Sequence, residues 1–381
     1  MKKIGLYLDS ILTGGTFQYN LSILEAVKSL PATQFETKIA YTSDLWHDYL
    51  KENQISAIRI NRTYLSRLWF QVRTPLWFWR YFSQYFNSFT KLFIINKCDL
   101  WIFPSQDIWA YSLPVPSLSV VHDLMHRYER IFQESGSKKE FRFREKHYTR
   151  TCDKSLGILV DSGLGKQQLV DSYKVDSTKV HVLPFIPPKY IYNNNSIDFN
   201  YKLPSKYIFY PAQFWEHKNH KSLVMAASQL VARIPNLKMV FVGAPNNGYD
   251  KLVKLIEKLD LQSTFIFLDH IPDEHMSYLY KNARALVMPT FFGPTNIPPL
   301  EAFATGCPVA ASNIYAMPEQ IGDAGLFFNP NSSQEIADII YKLWTDDALI
   351  DELRTKGSAK SKQWGQKQFN QRFMDIINSI V

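Results

Sequence analysis

Cysteine is scarce. Cys98, Cys152 and Cys307 are odd in number, far apart and in no Cys-x-x-Cys pair. That excludes a disulfide frame and a structural zinc site, and points to a reducing compartment. No stretch reaches the roughly 18 uninterrupted apolar residues that suggest a membrane span. Met1-Lys2-Lys3 ahead of the apolar Ile4–Leu8 opens like a signal peptide, but Asp9 and Ser10 cut the run short, so a buried first strand is expected. A cytoplasmic protein follows. There is no P-loop GK[ST] and no GxGxxG, which leaves ATP hydrolysis and dinucleotide binding without support. Zinc-finger spacing, an RNP-like aromatic motif and a long basic tail are also missing, so nucleic acid ranks lowest among partners.

What is present describes a globular chain. Hydrophobic residues make up 46% and aromatics 15%, far more burial than a disordered chain carries. At 381 residues there is material for two domains, each with its own core. A formal net charge of +8 calls for an anionic partner, and on charge alone a nucleotide diphosphate and an acidic membrane surface both qualify.

Short apolar runs alternate with amphipathic stretches, the pattern of parallel βαβ units. The first series predicts strands at Ile4–Leu8, Thr37–Tyr41, Leu100–Phe103, Ser117–Val121, Gly157–Val160 and Val180–Leu183. Pro184-Phe185-Ile186-Pro187-Pro188 then ends regular structure, which sets a domain boundary near residue 185. A second series predicts strands at Tyr207–Tyr210, Met239–Val242, Phe265–Leu268, Ala285–Met288, Val309–Ala311 and Gly325–Phe327. Helices are predicted between them at Lys221–Arg233, Tyr249–Leu259, Asp273–Asn282 and Pro299–Thr305. The fold class is α/β, with two Rossmann-like domains, and such halves commonly take a ligand in a cleft at the carboxyl ends of their parallel strands.

The most informative stretch runs from Met288 to Val309, as strand, loop, helix and strand. Asn296 can cap the helix, and Pro298 and Pro299 suit its first turn. A helix start offers N–H groups and a positive dipole end, which suits a diphosphate. Glu301 lies in the early turns, within reach of a ribose diol. An ordinary crossover, with Glu301 complementing the helix dipole, explains the same residues. Lys218, in Gln213-Phe214-Trp215-Glu216-His217-Lys218-Asn219, sits at a strand-to-helix turn and reaches either a phosphate or solvent. Gly14 and Gly15 open a helix after the first strand, as a structural turn or as a close backbone approach to a ligand. His122-Asp123 ends another strand.

These residues together resemble the group 1 (family 4) glycosyltransferases, which have the GT-B fold: two Rossmann-like domains whose parallel sheets face a central cleft. Pro289, Ile297, Pro298, Leu300, Glu301, Ala302, Gly306 and Pro308-Val309 fall in register with that family's signature. The resemblance implies an acceptor-side domain over 1–185, a nucleotide-sugar domain over 186–363, and a last helix, about 364–381, returning to the first. It implies that Glu301 binds the donor ribose and that Thr295, Asn296, Ile297, Pro298 and Leu300 face the donor sugar and phosphates. Lys218 clamps the diphosphate, with Gln213 where the family has an arginine. His270 and Ile271 hold the base through backbone groups. Gly14 and Gly15 lie near phosphate or acceptor, and His122 contacts the donor sugar. There is one large departure: Gly293 stands where the family has its first glutamate, and Pro294-Thr295-Asn296 replaces Gly-Phe-Gly.

The activity implied is a retaining, metal-independent transfer of a sugar from a nucleotide-diphosphate donor to a saccharide or polyprenyl-linked saccharide, in bacterial surface polysaccharide (O-antigen or capsule) synthesis. No cofactor is expected. The chain also lacks Asp-x-Asp, the usual metal motif of the other main glycosyltransferase fold. A catalytically silent nucleotide-sugar-binding homologue is the main alternative, a nucleotide-sugar epimerase a lesser one. Between Arg62 and Lys91, five basic residues lie among eleven aromatics. This stretch is either two core helices with exposed arginines or a surface that contacts an anionic membrane at the inner face of the plasma membrane.

Overall fold

Apolar four-residue runs such as Leu100–Phe103 and Met239–Val242 bury every side chain, as strands covered on both faces must. The computed structural model describes residues 1–9, 14–61, 75–193, 201–269, 271–293 and 295–381. It divides into two units. The first comprises Met1–Leu124, Lys138–Pro184 and Gln366–Val381; the second comprises Met125–Ser137 and Phe185–Gly365.

The first unit is built on a seven-stranded sheet in the order β3-β2-β1-β4-β5-β6-β7. Its strands are β1 (Lys2–Leu8), β2 (Phe35–Tyr41), β3 (Ile58–Arg59), β4 (Leu100–Phe103), β5 (Ser117–Val120), β6 (Gly157–Val160) and β7 (Val180–Val182). All adjacent pairs are parallel. The edge strand β3 was not anticipated, since two residues carry no periodicity. Gly5 lets the buried Trp101 ring lie against β1: a Cβ there would sit 2.3 Å from it. Phe369, Phe373, Ile376 and Ile377 give the helix Gln366–Ile380 one apolar stripe. That stripe belongs to the first unit, where Phe369 meets Tyr19 edge-on at 6.0 Å.

In the same unit the helix Leu76–Phe86 departs from the core-helix alternative, in which the aromatics pack inward and the arginines face out. Trp79 is buried and Arg80 turns inward, donating from Nη1 to the carbonyls of Tyr111 and Leu113, each at 2.6 Å. The aromatics face out instead: Trp77 is 69%, Tyr81 61% and Tyr85 65% exposed. Arg62, Arg67, Arg73, Tyr64, Trp69 and Phe70 lie outside the described residues.

The second unit holds a six-stranded parallel sheet in the order β10-β9-β8-β11-β12-β13. These strands are β8 (Ile208–Pro211), β9 (Met239–Val242), β10 (Phe265–Leu268), β11 (Ala285–Met288), β12 (Val309–Ser312) and β13 (Gly325–Phe328). The order reverses between β8 and β11, so their carboxyl ends flank the crevice where open α/β sheets take ligands. Among the described residues no helix is long and apolar enough to cross a membrane. The segment Met125–Ser137, expected with the first domain, clusters with the second. Its side chains find partners there, described below.

Candidate functional site

The chain leaves β8 at Pro211 and makes a tight helical turn over Glu216–Lys218. Asn219 follows in the left-handed region at φ +58, a conformation asparagine tolerates better than most residues. Its buried amide donates to the carbonyls of Pro289 at 2.8 Å and Pro330 at 3.0 Å, tying the turn to the chain leaving β11 and β13. The Tyr210 hydroxyl donates to the Lys218 carbonyl at 2.8 Å. With its backbone held on both sides, Lys218 extends its ammonium to Asn296 Oδ1 at 3.3 Å.

Asn296 stands just before the helix Ile297–Thr305. It occupies the cap position, but its side chain makes no capping bond. The amide turns instead toward Lys218, the Gly293 carbonyl and the Met317 sulfur. Gln320 holds its backbone reciprocally, accepting from the Asn296 N–H at 3.0 Å and donating to its carbonyl at 2.7 Å. Pro298 and Pro299 fit the first turn but remove two of its N–H donors, leaving Ile297 and Leu300 to give one. The helix dipole persists, and the fixed positive charge comes from Lys218. The site is therefore one cation and one helix start at the β8/β11 reversal, an arrangement suited to a phosphorylated ligand.

Residues 193–364 match the family model described as Glycosyl transferases group 1. That match lies within the second unit. Over 239 residues it is 27% identical to the O-antigen chain mannosyltransferase B of Escherichia coli, covering 61% of this chain and 62% of that one. The matched part thus falls short of two thirds of that relative's length. Among solved structures, a glycosyltransferase from Rickettsia africae ESF-5 superposes with a TM-score of 0.75 at 17% identity, covering 100% of this chain and 98% of that chain. Anabaena Alr3699/HepE, solved in complex with UDP-glucose, gives 0.71 at 17% identity over the whole of both chains. The fold is GT-B, as the motifs implied.

The group 1 departure at Gly293 has a steric reason. This residue has φ +135, and a Cβ on it would lie 2.5 Å from Asn296 Nδ2. The Asn296 amide fills the space a side chain at 293 would need. The family's second glutamate, Glu301, is 3% exposed. One of its carboxylate oxygens accepts from the Tyr280 hydroxyl at 2.6 Å and the other from the Tyr190 hydroxyl. Burial raises the Glu301 pKa, and the two tyrosine hydrogen bonds partly offset that. Gln213 is exposed and accepts from the Trp215 indole at 2.8 Å. Ile271 is buried; His270 and Pro294 lie outside the described residues. Thr295, Ile297, Pro298 and Leu300 are half-buried around the helix start.

In the first unit, Gly14 begins the helix Gly14–Lys28 at φ +73, and both Gly14 and Gly15 are exposed. His122 packs edge-on to Tyr19 at 5.1 Å. Burial pushes its pKa down to about 4, so it is neutral at physiological pH.

Several participants were not legible in the sequence. Gln320, Tyr190 and Tyr280 carry no motif, and only the folded chain brings them to Asn296 and Glu301. The same holds for Phe132 and Glu134. Phe132 stacks on Phe291 with centroids 5.6 Å apart, and Glu134 Oε1 lies 3.2 Å from His217 Nδ1.

Proposed function

We propose that the chain is a retaining, metal-independent glycosyltransferase that moves a sugar from a nucleotide-diphosphate donor onto a saccharide or lipid-linked saccharide, in bacterial surface polysaccharide synthesis. The observation that carries this reading is the Lys218–Asn296 pair at the start of the helix Ile297–Thr305. Charge that builds on the departing diphosphate meets the ammonium and the helix dipole. Fixed donors aimed at developing charge are typically worth about 3 kcal/mol each. No side-chain base is assigned: the leaving phosphate takes the proton of the incoming hydroxyl. Asn296 and Thr295 meet the sugar where the family uses a carboxylate. Glu301 binds the ribose by exchanging a tyrosine hydroxyl for a ribose hydroxyl. The O-antigen relative supports the pathway, and the UDP-glucose complex of a protein of this fold supports the class of donor.

The acceptor side of this reading is a peripheral contact with an anionic membrane, which gives access to a polyprenyl-linked saccharide. The outward aromatics of the helix Leu76–Phe86 support it.

A thermal-shift panel of UDP-, GDP- and dTDP-sugars tests the donor site. One donor at a hundred times its Kd stabilises the folded protein by about 2.7 kcal/mol. Lys218→Ala removes most of that shift, and turnover with that donor and a lipid-linked acceptor follows for the wild type alone. If no nucleotide sugar stabilises the wild type, the enzyme reading falls; if one binds but no acceptor is glycosylated, the silent nucleotide-sugar-binding homologue replaces it.

A further inference from the structure

The segment Met125–Ser137 leaves the first unit after Leu124 and returns to it at Lys138, yet it groups with the second unit. It crosses the carboxyl-end loops of four strands there. Glu129 accepts from the Tyr315 hydroxyl beyond β12. Phe132 stacks on Phe291 beyond β11. Gln133 Oε1 accepts from Asn247 Nδ2 at 3.3 Å beyond β9. Glu134 reaches the Glu216–Lys218 turn beyond β8. These ends form the edge of the sheet where the ligand site is.

At that turn the contacts converge on one residue. Glu134 Oε1 receives the His217 backbone N–H at 3.4 Å and lies 3.2 Å from its ring Nδ1. The His217 carbonyl accepts from the Phe291 N–H at 2.8 Å. Asn247, which donates to Gln133, accepts through Oδ1 from the Glu216 N–H at 3.1 Å. The strap thus grips both residues that precede Lys218. The second Glu134 oxygen is buried without a hydrogen-bond partner among the described residues.

We infer that Glu134, carried by the strap Met125–Ser137, is a positioning residue for the diphosphate contact: by fixing His217 it fixes the reach and direction of Lys218. The inference rests on the nucleotide-sugar reading of the site. It places part of the donor-binding machinery in a segment outside residues 193–364, the span the family model matches.

The test is a double-mutant cycle on nucleotide affinity, read by calorimetry with UDP and GDP as probes. The four proteins are wild type, Glu134→Ala, Lys218→Ala and the double variant. Glu134→Ala weakens the tighter of the two nucleotides about tenfold, the scale of one hydrogen bond to a charged group. In the Lys218→Ala background the same change costs less than twofold, because the group it acts through is gone. Glu134→Gln keeps an acceptor for the His217 N–H and recovers to within about threefold of wild type. A full tenfold loss in the Lys218→Ala background overturns the proposal, as does a wild-type affinity for Glu134→Ala. Should Glu134→Ala not melt cooperatively, the cycle runs with Glu134→Gln and is judged by the same additivity. Two other results point elsewhere. A folded wild type that binds neither nucleotide refutes the donor site itself. Binding that Lys218→Ala leaves untouched refutes Lys218 as the anion contact. Either removes the ground for the Glu134 proposal too, and neither resembles the additive result that overturns it alone.

Discussion

By sequence, the first unit carries the whole formal excess of +8, while the second, which holds the Lys218–Asn296 site, is neutral. The units differ at their surfaces in the same sense. The first exposes Trp77, Tyr81 and Tyr85 along one helix, whereas the second holds its strand-end loops together with side-chain amides, hydroxyls and one lysine. A basic isoelectric point is readily taken as the mark of a nucleotide site. Here it is the mark of the other unit. A buried-edge diphosphate contact needs one well-aimed charge and a helix start, while attraction to an anionic surface is a sum over many exposed charges.

The largest effect that separates the two units is on membrane affinity. Vesicles with anionic phospholipid should bind the wild type far better than neutral ones, with binding weakened by salt. Trp77→Ser/Tyr81→Ser/Tyr85→Ser should lower that binding more than tenfold in a cosedimentation assay and leave the nucleotide-induced thermal shift unchanged. Equal binding by the triple variant would mean that charge alone carries the contact. Loss of the nucleotide shift as well would mean that the two functions are not separable by unit.

The next effect sharpens the view of the second unit. If Asn296 fills the space of a side chain at position 293, Gly293→Glu meets both a steric clash and a backbone at φ +135. Such strain costs on the order of 1–3 kcal/mol. The single variant should therefore melt several degrees lower and bind nucleotide sugar less well. Adding Asn296→Gly clears the space and should recover part of the loss, with the new carboxylate near Lys218. A single Gly293→Glu variant that melts like the wild type would show that the loop has room, and that the Asn296 account is wrong.

The contrast between the units also explains what the sequence could disclose. Strands such as Met239–Val242 and Phe265–Leu268 were predicted to the residue, because a strand buried on both faces is an apolar run bounded by polar turns. Lys218, Asn296 and Glu301 stand out as candidates in the sequence because strand-end loops and helix starts carry local chemistry. The direction of side chains was not legible. Asn296 looked like a helix cap and instead meets Lys218; Arg80 looked exposed and instead holds two carbonyls. Neither choice is written in local spacing, since each depends on partners tens of residues away. The strap is the extreme case. Phe132 and Glu134 meet residues more than 80 positions on, and no period or motif marks them.

The smallest effect concerns Glu301, whose two oxygens accept from Tyr190 and Tyr280. Tyr280 is fully enclosed, while Tyr190 is only half-buried, so Tyr190 is the partner a ribose hydroxyl could replace. On that view Tyr190→Phe removes a competitor, and nucleotide affinity should rise about three- to fivefold, close to 1 kcal/mol for one hydrogen bond. Tyr280→Phe strips a donor that nothing replaces, and should weaken binding. The pH dependence fixes the sign. Burial already raises the Glu301 pKa, and losing one of the two hydrogen bonds that lower it raises it further. A folded acid with a raised pKa binds its proton more tightly than the unfolded chain does. The variant should therefore be most stable at low pH and lose stability as pH rises through the shifted value. Ribose hydroxyls need the ionised carboxylate, so the gain in affinity should be present above that value and fade as pH falls through it. Weaker binding by Tyr190→Phe at every pH, matching Tyr280→Phe, would make Tyr190 a fixed support of the carboxylate, with the ribose bound elsewhere.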